Sequence, residues 1–421
     1  MVCDGHVFIA ECVCIHVVSD PTMRGGVSTA DHEGLDYDVA IIGAGITGLM
    51  TAYTLAEEGY RVGVFEAASG PGQGVTANQS EVIHVVQLPF GSVKSKLARE
   101  GNLMYDELCA RLGVPFKRVS ALLVVRSRLT LAPLLLGYLY LRLNLRGRFG
   151  VRITGSRGAF ELEPRLSDKV KGAIVVDGYG VVDSKRLIAK LHEHLAGKVD
   201  FHFNCEVLSG KPQGPVFQLR TTRGDFACKC VVNAAGLYAD EVAARLGLRV
   251  EPIKPGLGVM TEYGGLEVNS IIAPFSLIQR GRTKGGGIIP TMRGTVIFGP
   301  NLRLLERKSE AEPTDDDVRE LESKFQPLLR VRGKLLRVYA GVRPLSPHGD
   351  FLLLEGYSGK LINLIGIESP GLTAAPALGR LVAQRVKSVL GVHQNSAVGE
   401  GLDRAGVGAV RGGVDSGVDG V

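Results

Sequence analysis

Tyr37-Asp-Val-Ala-Ile-Ile42 runs directly into Gly43-Ala-Gly-Ile-Thr-Gly48, and Leu49 to Glu58 follows with helical spacing. A second apolar run, Arg61-Val-Gly-Val-Phe65, ends at an acid, Glu66. The order is strand, glycine turn, helix, strand, acid. That is the layout of a dinucleotide-binding βαβ unit. Gly43 permits the tight turn out of the strand, and Gly45 lets backbone approach a pyrophosphate because no Cβ intervenes. Gly48 lets the helix pack on the sheet, while Ala44 and Thr47 complete the cradle. The helix N-terminus offers N–H groups and a positive dipole end to phosphate. Glu66 lies 23 residues past Gly43, where a carboxylate accepts from ribose hydroxyls; Ala67 follows it. An acid here disfavours a 2′-phosphate and so NADP. The motif alone leaves NAD and FAD both open, and a glycine-rich turn in another kind of α/β unit is the plainer alternative.

The 421 residues suffice for two substantial domains or one composite one. A hydrophobic fraction of 45% with 22% charged residues is a globular composition. The net charge of +6 is mild, suits anionic ligands, and comes without a basic cluster interleaved with aromatics, so no nucleic acid partner is expected. Seven cysteines include two CxC pairs, Cys12/Cys14 and Cys228/Cys230, without a CxxC mate. No metal site and no disulfide framework are expected, and most of the cysteines read as small buried apolar residues. No run of eighteen apolar residues exists, and the start lacks the basic region and long apolar core of a signal peptide. The chain is therefore expected in the cytoplasm. Residues 1–36, with a second methionine at Met23, read as a floppy extension, and 393–421 as a disordered tail rich in Gly, Val and Asp.

Beyond Glu66 a polar, glycine-rich loop ends at Ser80. A helix is expected over Lys94 to Leu112, strands over Phe116 to Val125, and strand, turn and strand over Val175 to Asp183. A helix over Ser184 to Leu195 follows, then strands over Val199 to Val207, Val216 to Thr222 and Val231 to Gly236. Residues 250–345 alternate strands and glycines as a mostly antiparallel sheet does. Thr314 followed by three acids marks a helix start. Leu131 to Leu145, rich in Leu and Tyr and followed by Arg146 and Arg148, has two readings. One is a helix packed on the protein body. The other is a peripheral contact with the inner face of a membrane.

Four segments together resemble the FAD-dependent oxidoreductases of the D-amino-acid oxidase family, over about residues 37–392. They are the Gly43–Glu66 unit; Asn78-Gln-Ser-Glu-Val-Ile-His84 with Pro89-Phe-Gly-Ser-Val-Lys94; Val232-Asn-Ala-Ala-Gly-Leu-Tyr-Ala-Asp240; and Tyr339-Ala-Gly-Val-Arg-Pro344 with Gly366-Ile-Glu-Ser-Pro-Gly-Leu-Thr-Ala-Ala-Pro376. The second and fourth resemble most the L-2-hydroxyglutarate oxidase and glycerol-3-phosphate dehydrogenase branch. The resemblance implies FAD as cofactor. It implies a mixed α/β fold (α+β), with a Rossmann-type FAD-binding domain from 37–90, 175–250 and 350–392. A discontinuous antiparallel-sheet substrate domain comes from 91–174 and 251–349.

The resemblance also assigns site residues. Ser80, Val207, Ala235 and Gly236 join the glycine unit on the cofactor, Val207 near the adenine. The turn Gly366, Ser369, Pro370, Gly371, Leu372 and Thr373 would present N–H groups to the flavin N1–C2=O edge, where negative charge appears on reduction. Arg343 would hold the substrate's anionic group, which suits a guanidinium fork. His84 would take the hydroxyl proton as hydride leaves for flavin N5, a role suited to imidazole. His348, Arg280 and Lys284 are weaker candidates. Glycerol-3-phosphate dehydrogenases usually continue after the histidine as Gly-x-Arg-Tyr; here His84-Val-Val-Gln-Leu-Pro89 has no arginine. Hydroxyglutarate-type enzymes usually have small and aromatic residues there, which this segment does not match either. The resemblance as a whole leads to a small anionic 2-hydroxy acid like L-2-hydroxyglutarate as the expected substrate, with glycerol 3-phosphate and then an amino or imino acid as alternatives. Electrons would leave to a quinone, another acceptor or oxygen. A subunit that binds FAD without a substrate of its own is a further alternative. The sequence carries no signal for oligomeric state.

Overall fold

The computed structural model describes residues 34–145, 147–275, 286–308 and 312–391, with two short strands, His6–Ile9 and Val13–Val17. The tail expected to be disordered, Arg280 and Lys284 lie outside the described residues.

Tyr37–Ile42 forms a strand buried along its whole length. Val39 and Ile41 feed one core while Ala40 and Ile42 feed another. A strand covered on both faces reads as a continuous apolar run, and this one does. It pairs in parallel with Val62–Phe65 and with the end of Gly224–Asn233. The sheet extends through Val199–His202 on one side and Leu361–Ile365 on the other. Leu352–Gly356 then adds antiparallel to Leu361–Ile365. Helices Ile46–Glu57, Val93–Leu112, Ser184–Leu195 and Gly371–Leu390 cover one face through a shared core. A hairpin, Val207–Gln213 with Val216–Thr221, and the helix Ala239–Arg245 cover the other.

The second sheet orders Arg303–Leu304, Lys254–Gly264, Val296–Gly299, Gly287–Pro290, Ile271–Pro274, Phe116–Val125, Gly172–Val182 and Val82–Ile83. Lys334–Leu345 pairs antiparallel with Lys254–Gly264 over its full length. The sheet is antiparallel apart from Ile271–Pro274 beside Phe116–Val125. The helix Asp315–Phe325 packs Leu321 and Phe325 on one face, and Leu131–Asn144 packs Leu134 and Leu141 on the other. Each such fully buried side chain contributes about 1.5–3 kcal/mol.

Four details depart from the sequence reading. Val82–Ile83, inside the 37–90 segment assigned to the nucleotide domain, pairs with Gly172–Val182 in the second sheet. Gly172–Val182 is one continuous strand of the second sheet, paired with Phe116–Val125. The chain therefore returns to the nucleotide sheet only after Val182, not at 175; Gly178, at φ +92°, bends the strand without ending it. Val207 begins a strand instead of ending one, because Asn204, at φ +50°, turns the chain between Val199–His202 and Val207–Gln213. The stretch read as a floppy extension contains the two short strands, and Val13–Val17 lies parallel to Leu352–Gly356 at the sheet edge; both runs are rich in β-branched residues, which favour strands.

Candidate active site

The glycine turn owes its shape to contacts that exclude side chains. Gly43 has φ +103°, and a Cβ there would meet the Ala234 carbonyl oxygen at 2.6 Å. A Cβ on Gly48 would lie 1.9 Å from the Gly43 carbonyl oxygen. A Cβ on Gly45 would meet only Thr76 Oγ1, at 3.4 Å. The first and third glycines are thus packed shut, and the second faces open space. Glu66 accepts from the Ala44 N–H at 2.7 Å and from the Ala68 N–H at 2.8 Å, so it braces the turn from the next strand.

That open space belongs to a cavity of about 1340 Å³ running between the two sheets. Gly43, Gly45, Thr47, Glu66, Ala67, Ser80, Val207, Ala235 and Gly236 line it, as do His84, Arg343 and Ser369 to Thr373. Ala44, Gly48 and Gly366 do not. The Ala44 N–H is spent on Glu66, Gly48 packs on Gly43, and Gly366, at φ +68°, packs against Ser346. Gly236 has φ +58°, and a Cβ there would meet no protein atom nearer than Val75 Cγ2 at 3.9 Å, so like Gly45 it faces the open cavity. His348 is exposed, 3.5 Å from Glu251, and stands apart from the cavity wall.

Two helices point their N-termini at this cavity, Ile46–Glu57 through Gly45 and Gly371–Leu390 through Pro370. Neither has a cap from its own N-cap side chain or an acid in its first turn, although the Ile46 N–H donates to Thr76 Oγ1 at 3.2 Å and the Gly371 N–H to the Glu368 carbonyl at 2.5 Å. By contrast, the helix Asp315–Phe325 carries a capping box from Thr314 and three acids. The next N–H groups of each first turn and the positive dipole ends are left for a ligand's negative charge. The residues present therefore fit a dinucleotide: a glycine cradle that a Cβ would fill, a braced acid, and two helix ends.

Gly371–Leu390 contains Pro376, which removes the N–H that would have bonded the Leu372 carbonyl. The hydroxyl of Tyr105, fully buried, donates to that carbonyl at 2.5 Å. Gly101, one turn earlier on Val93–Leu112, lets the two helices touch; a Cβ there would lie 2.1 Å from the Thr373 carbonyl oxygen. Thr373 Oγ1 donates to the Val82 carbonyl at 3.3 Å and accepts from the His84 N–H at 3.0 Å. Asn102 donates to the His84 carbonyl at 3.0 Å. The backbone of His84 is thus held on both sides, with its ring edge-on to Tyr179 at 6.1 Å. Burial pushes the Tyr179 phenol up to about 12.

Arg343 lies on Lys334–Leu345 and reaches over the neighbouring strand. A Cβ on Gly258 would sit 2.4 Å from its Nη2, and Nη2 donates to the Asn301 carbonyl at 3.4 Å. Burial lowers the guanidinium pKa, and the Glu368 carboxylate acts in the opposite direction. Glu368, also on the cavity wall, pairs with Lys94 at 3.3 Å, both side chains being about 5% exposed. Lys94 donates as well to the Gly349 carbonyl.

Sequence reasoning missed Gly258, Tyr105, Asn102 and the Lys94–Glu368 pair as contributors. Gly256-Leu-Gly258 inside a strand was a legible sign of close approach. Lys94 and Glu368 sat inside quoted motifs without a role. Tyr105 and Asn102 carried no local signal. Among the described residues no group of three or more His, Cys, Asp or Glu could hold a metal ion. Cys109, Cys205, Cys228 and Cys230 are buried and free.

The family model for FAD dependent oxidoreductases (DAO) matches residues 38–385. A glycerol 3-phosphate dehydrogenase of Caloramator mitchellensis is 30% identical over 366 residues, 84% of this chain and 74% of that protein. The mitochondrial L-2-hydroxyglutarate dehydrogenase of Arabidopsis thaliana is 27% identical over 426 residues, 86% of each. Among solved structures, the FAD-bound, dithionite-reduced L-alpha-glycerophosphate oxidase of Mycoplasma pneumoniae superposes with a TM-score of 0.77 at 22% identity, covering 83% of this chain and 94% of that one. Fold and cavity define a flavin-dependent redox enzyme. The chain belongs to the DAO family of FAD-dependent oxidoreductases, and FAD is its cofactor.

Proposed function

We propose that the enzyme oxidises a small anionic 2-hydroxy acid of the L-2-hydroxyglutarate type. Arg343, seated on Gly258 in the wall of the cavity that His84 also lines, is the observation that carries this reading. FAD, when bound, supplies the two-electron acceptor. Arg343 holds the substrate carboxylate through charge-assisted hydrogen bonds. His84, fixed through its backbone by Thr373 and Asn102, receives the hydroxyl proton as the C–H bond breaks. The electrons then pass to a quinone, another acceptor or oxygen.

Glycerol 3-phosphate is the second reading, favoured by the names of the relatives from Caloramator and Mycoplasma. The wall directly after His84 favours a carboxylate over a phosphate dianion. Val86, Gln87 and Leu88 form the wall after His84 and bring no cation. Elsewhere on the wall Arg245 is engaged by Glu206 and Lys308 by Asp240 and Glu241, while Lys324 lies over the Phe325 ring.

Anaerobic bleaching of the bound flavin by a panel of 2-hydroxy acids, glycerol 3-phosphate and amino acids tests the proposal. Bleaching by L-2-hydroxyglutarate or a close analogue, needing about tenfold or more substrate in Arg343→Ala, is expected. Bleaching by glycerol 3-phosphate alone would establish the second reading, and bleaching by amino acids alone would sink both.

A further inference from the structure

The helix Leu131–Asn144 is apolar on both sides. Leu134, Gly137 and Leu141 are buried against the second sheet. On the outer side Leu135, Leu136, Leu139, Tyr140 and Leu143 are exposed, Leu136 to 63% and Leu143 to 58%. An outward stripe of large apolar side chains on a helix already anchored by its other face is not needed for folding and marks a contact surface. Charge says what covers it. From Arg126 to Phe160 there are seven arginines and not one aspartate or glutamate. Arg126 and Arg128 precede the helix, Arg142 lies in its last turn and Arg148 follows; all four are exposed. Arg152 and Arg157 are paired with Asp177 and Glu161.

We propose that this face docks on an anionic lipid surface, its leucines entering the headgroup boundary and its arginines meeting lipid phosphates. The helix, roughly 21 Å long at 1.5 Å per residue, lies in the plane of the surface. No helix among the described residues is long and apolar enough to cross a membrane. A second copy of the chain fits less well, because self-pairing sets one arginine rim against the other. The surface adjoins one end of the cavity: Leu88, exposed, lines the cavity, and Phe90 packs on Tyr140 of the helix at 5.6 Å between ring centres. An acceptor dissolved in the lipid would meet the protein beside that end.

Co-sedimentation of the FAD-loaded full chain with vesicles tests this without reference to substrate. Vesicles of phosphatidylcholine with phosphatidylglycerol are expected to bind about tenfold or more tightly than phosphatidylcholine alone, with the difference shrinking at high salt. Leu136→Glu with Leu139→Glu is expected to abolish binding while flavin absorption stays unchanged. Arg126→Gln with Arg128→Gln is expected to weaken the anionic preference. Wild-type protein that ignores both vesicle types, or the leucine variant binding as well as wild type, would overturn the proposal. So would a concentration-dependent dimer in sedimentation velocity that the leucine variant dissolves, since a second copy would then be the occupant.

Discussion

A methyl group on Gly258 would press on the Arg343 guanidinium at 2.4 Å. The position of the guanidinium proposed to bind the substrate's anionic group is therefore set by a residue with no side chain, one strand away. Gly258→Ala is expected to raise KM for the anionic substrate while leaving flavin content intact; an unchanged KM in steady-state kinetics would show that the fork does not need this seat. Arg343→Ala is expected to raise KM about tenfold to a hundredfold, the loss of a charged hydrogen bond being about 1.5–3 kcal/mol. Tyr105 plays the reverse part, a side chain replacing a backbone group. Its hydroxyl satisfies the Leu372 carbonyl that Pro376 strands. Tyr105→Phe leaves that carbonyl buried without its donor, and should cost about 1–3 kcal/mol in denaturant unfolding. A smaller loss would mean that the turn relaxes to find another donor.

Among the elements, the helices over the nucleotide sheet are tied by charge at two places. At the outer one, Glu57 at the end of Ile46–Glu57 accepts from Arg111 of Val93–Leu112, from Lys198 at 2.9 Å, and pairs with His194 of Ser184–Leu195 at 3.1 Å. Hydrogen bonds from Lys198 and then His194 hold its carboxyl down at about 2, against an ordinary 4.5. A depressed folded-state pKa contributes stability above the unfolded value and loses it as pH falls through the folded one. Stability should therefore drop between pH 4.5 and about 2. In thermal melts Glu57→Gln should flatten that part of the acid limb. The inner tie is the buried Lys94–Glu368 pair, which joins the start of Val93–Leu112 to the turn before Gly371–Leu390. Removing one partner of a buried pair costs about 3–5 kcal/mol, so Lys94→Met should be strongly destabilised in the same melts. A mild effect would mean that water reaches Glu368.

At the scale of the molecule, two sheets face a shared cavity and the chain passes between them several times. The cofactor cradle belongs to one sheet and Arg343 to the other, while His84 follows directly on the short strand Val82–Ile83 at the second sheet's edge. Binding FAD draws on the native arrangement of distant segments, and a ligand held only by the folded state stabilises it by mass action, by about 2.7 kcal/mol at a hundred times Kd. Flavin removal should accordingly lower Tm, and re-addition should restore it in a concentration-dependent way. An apoprotein melting at the same temperature would show that the cradle contributes nothing to the fold's stability.

The unit from Tyr37 to Glu66 was legible because its determinants are local. A buried strand, three glycines and an acid at fixed spacing imply one another through turn geometry and dipole chemistry. The motifs around His84, Arg343 and Gly366 to Pro376 were legible as resemblances. The second sheet's existence followed from its strand and glycine alternation. Where Gly172–Val182 pairs was not legible, because strand pairing is a long-range choice that local pattern does not encode. The same holds for the supports of the site. Gly258 acquires its meaning only beside Arg343, Tyr105 only beneath Pro376, and Lys94 only against Glu368. Sequence by itself determined the strand, glycine turn, helix and acid of the first unit and pointed to His84 and Arg343 as candidates. Tertiary structure alone decided which groups hold them, since those contacts join positions 18 to 289 residues apart and no periodicity spans such distances.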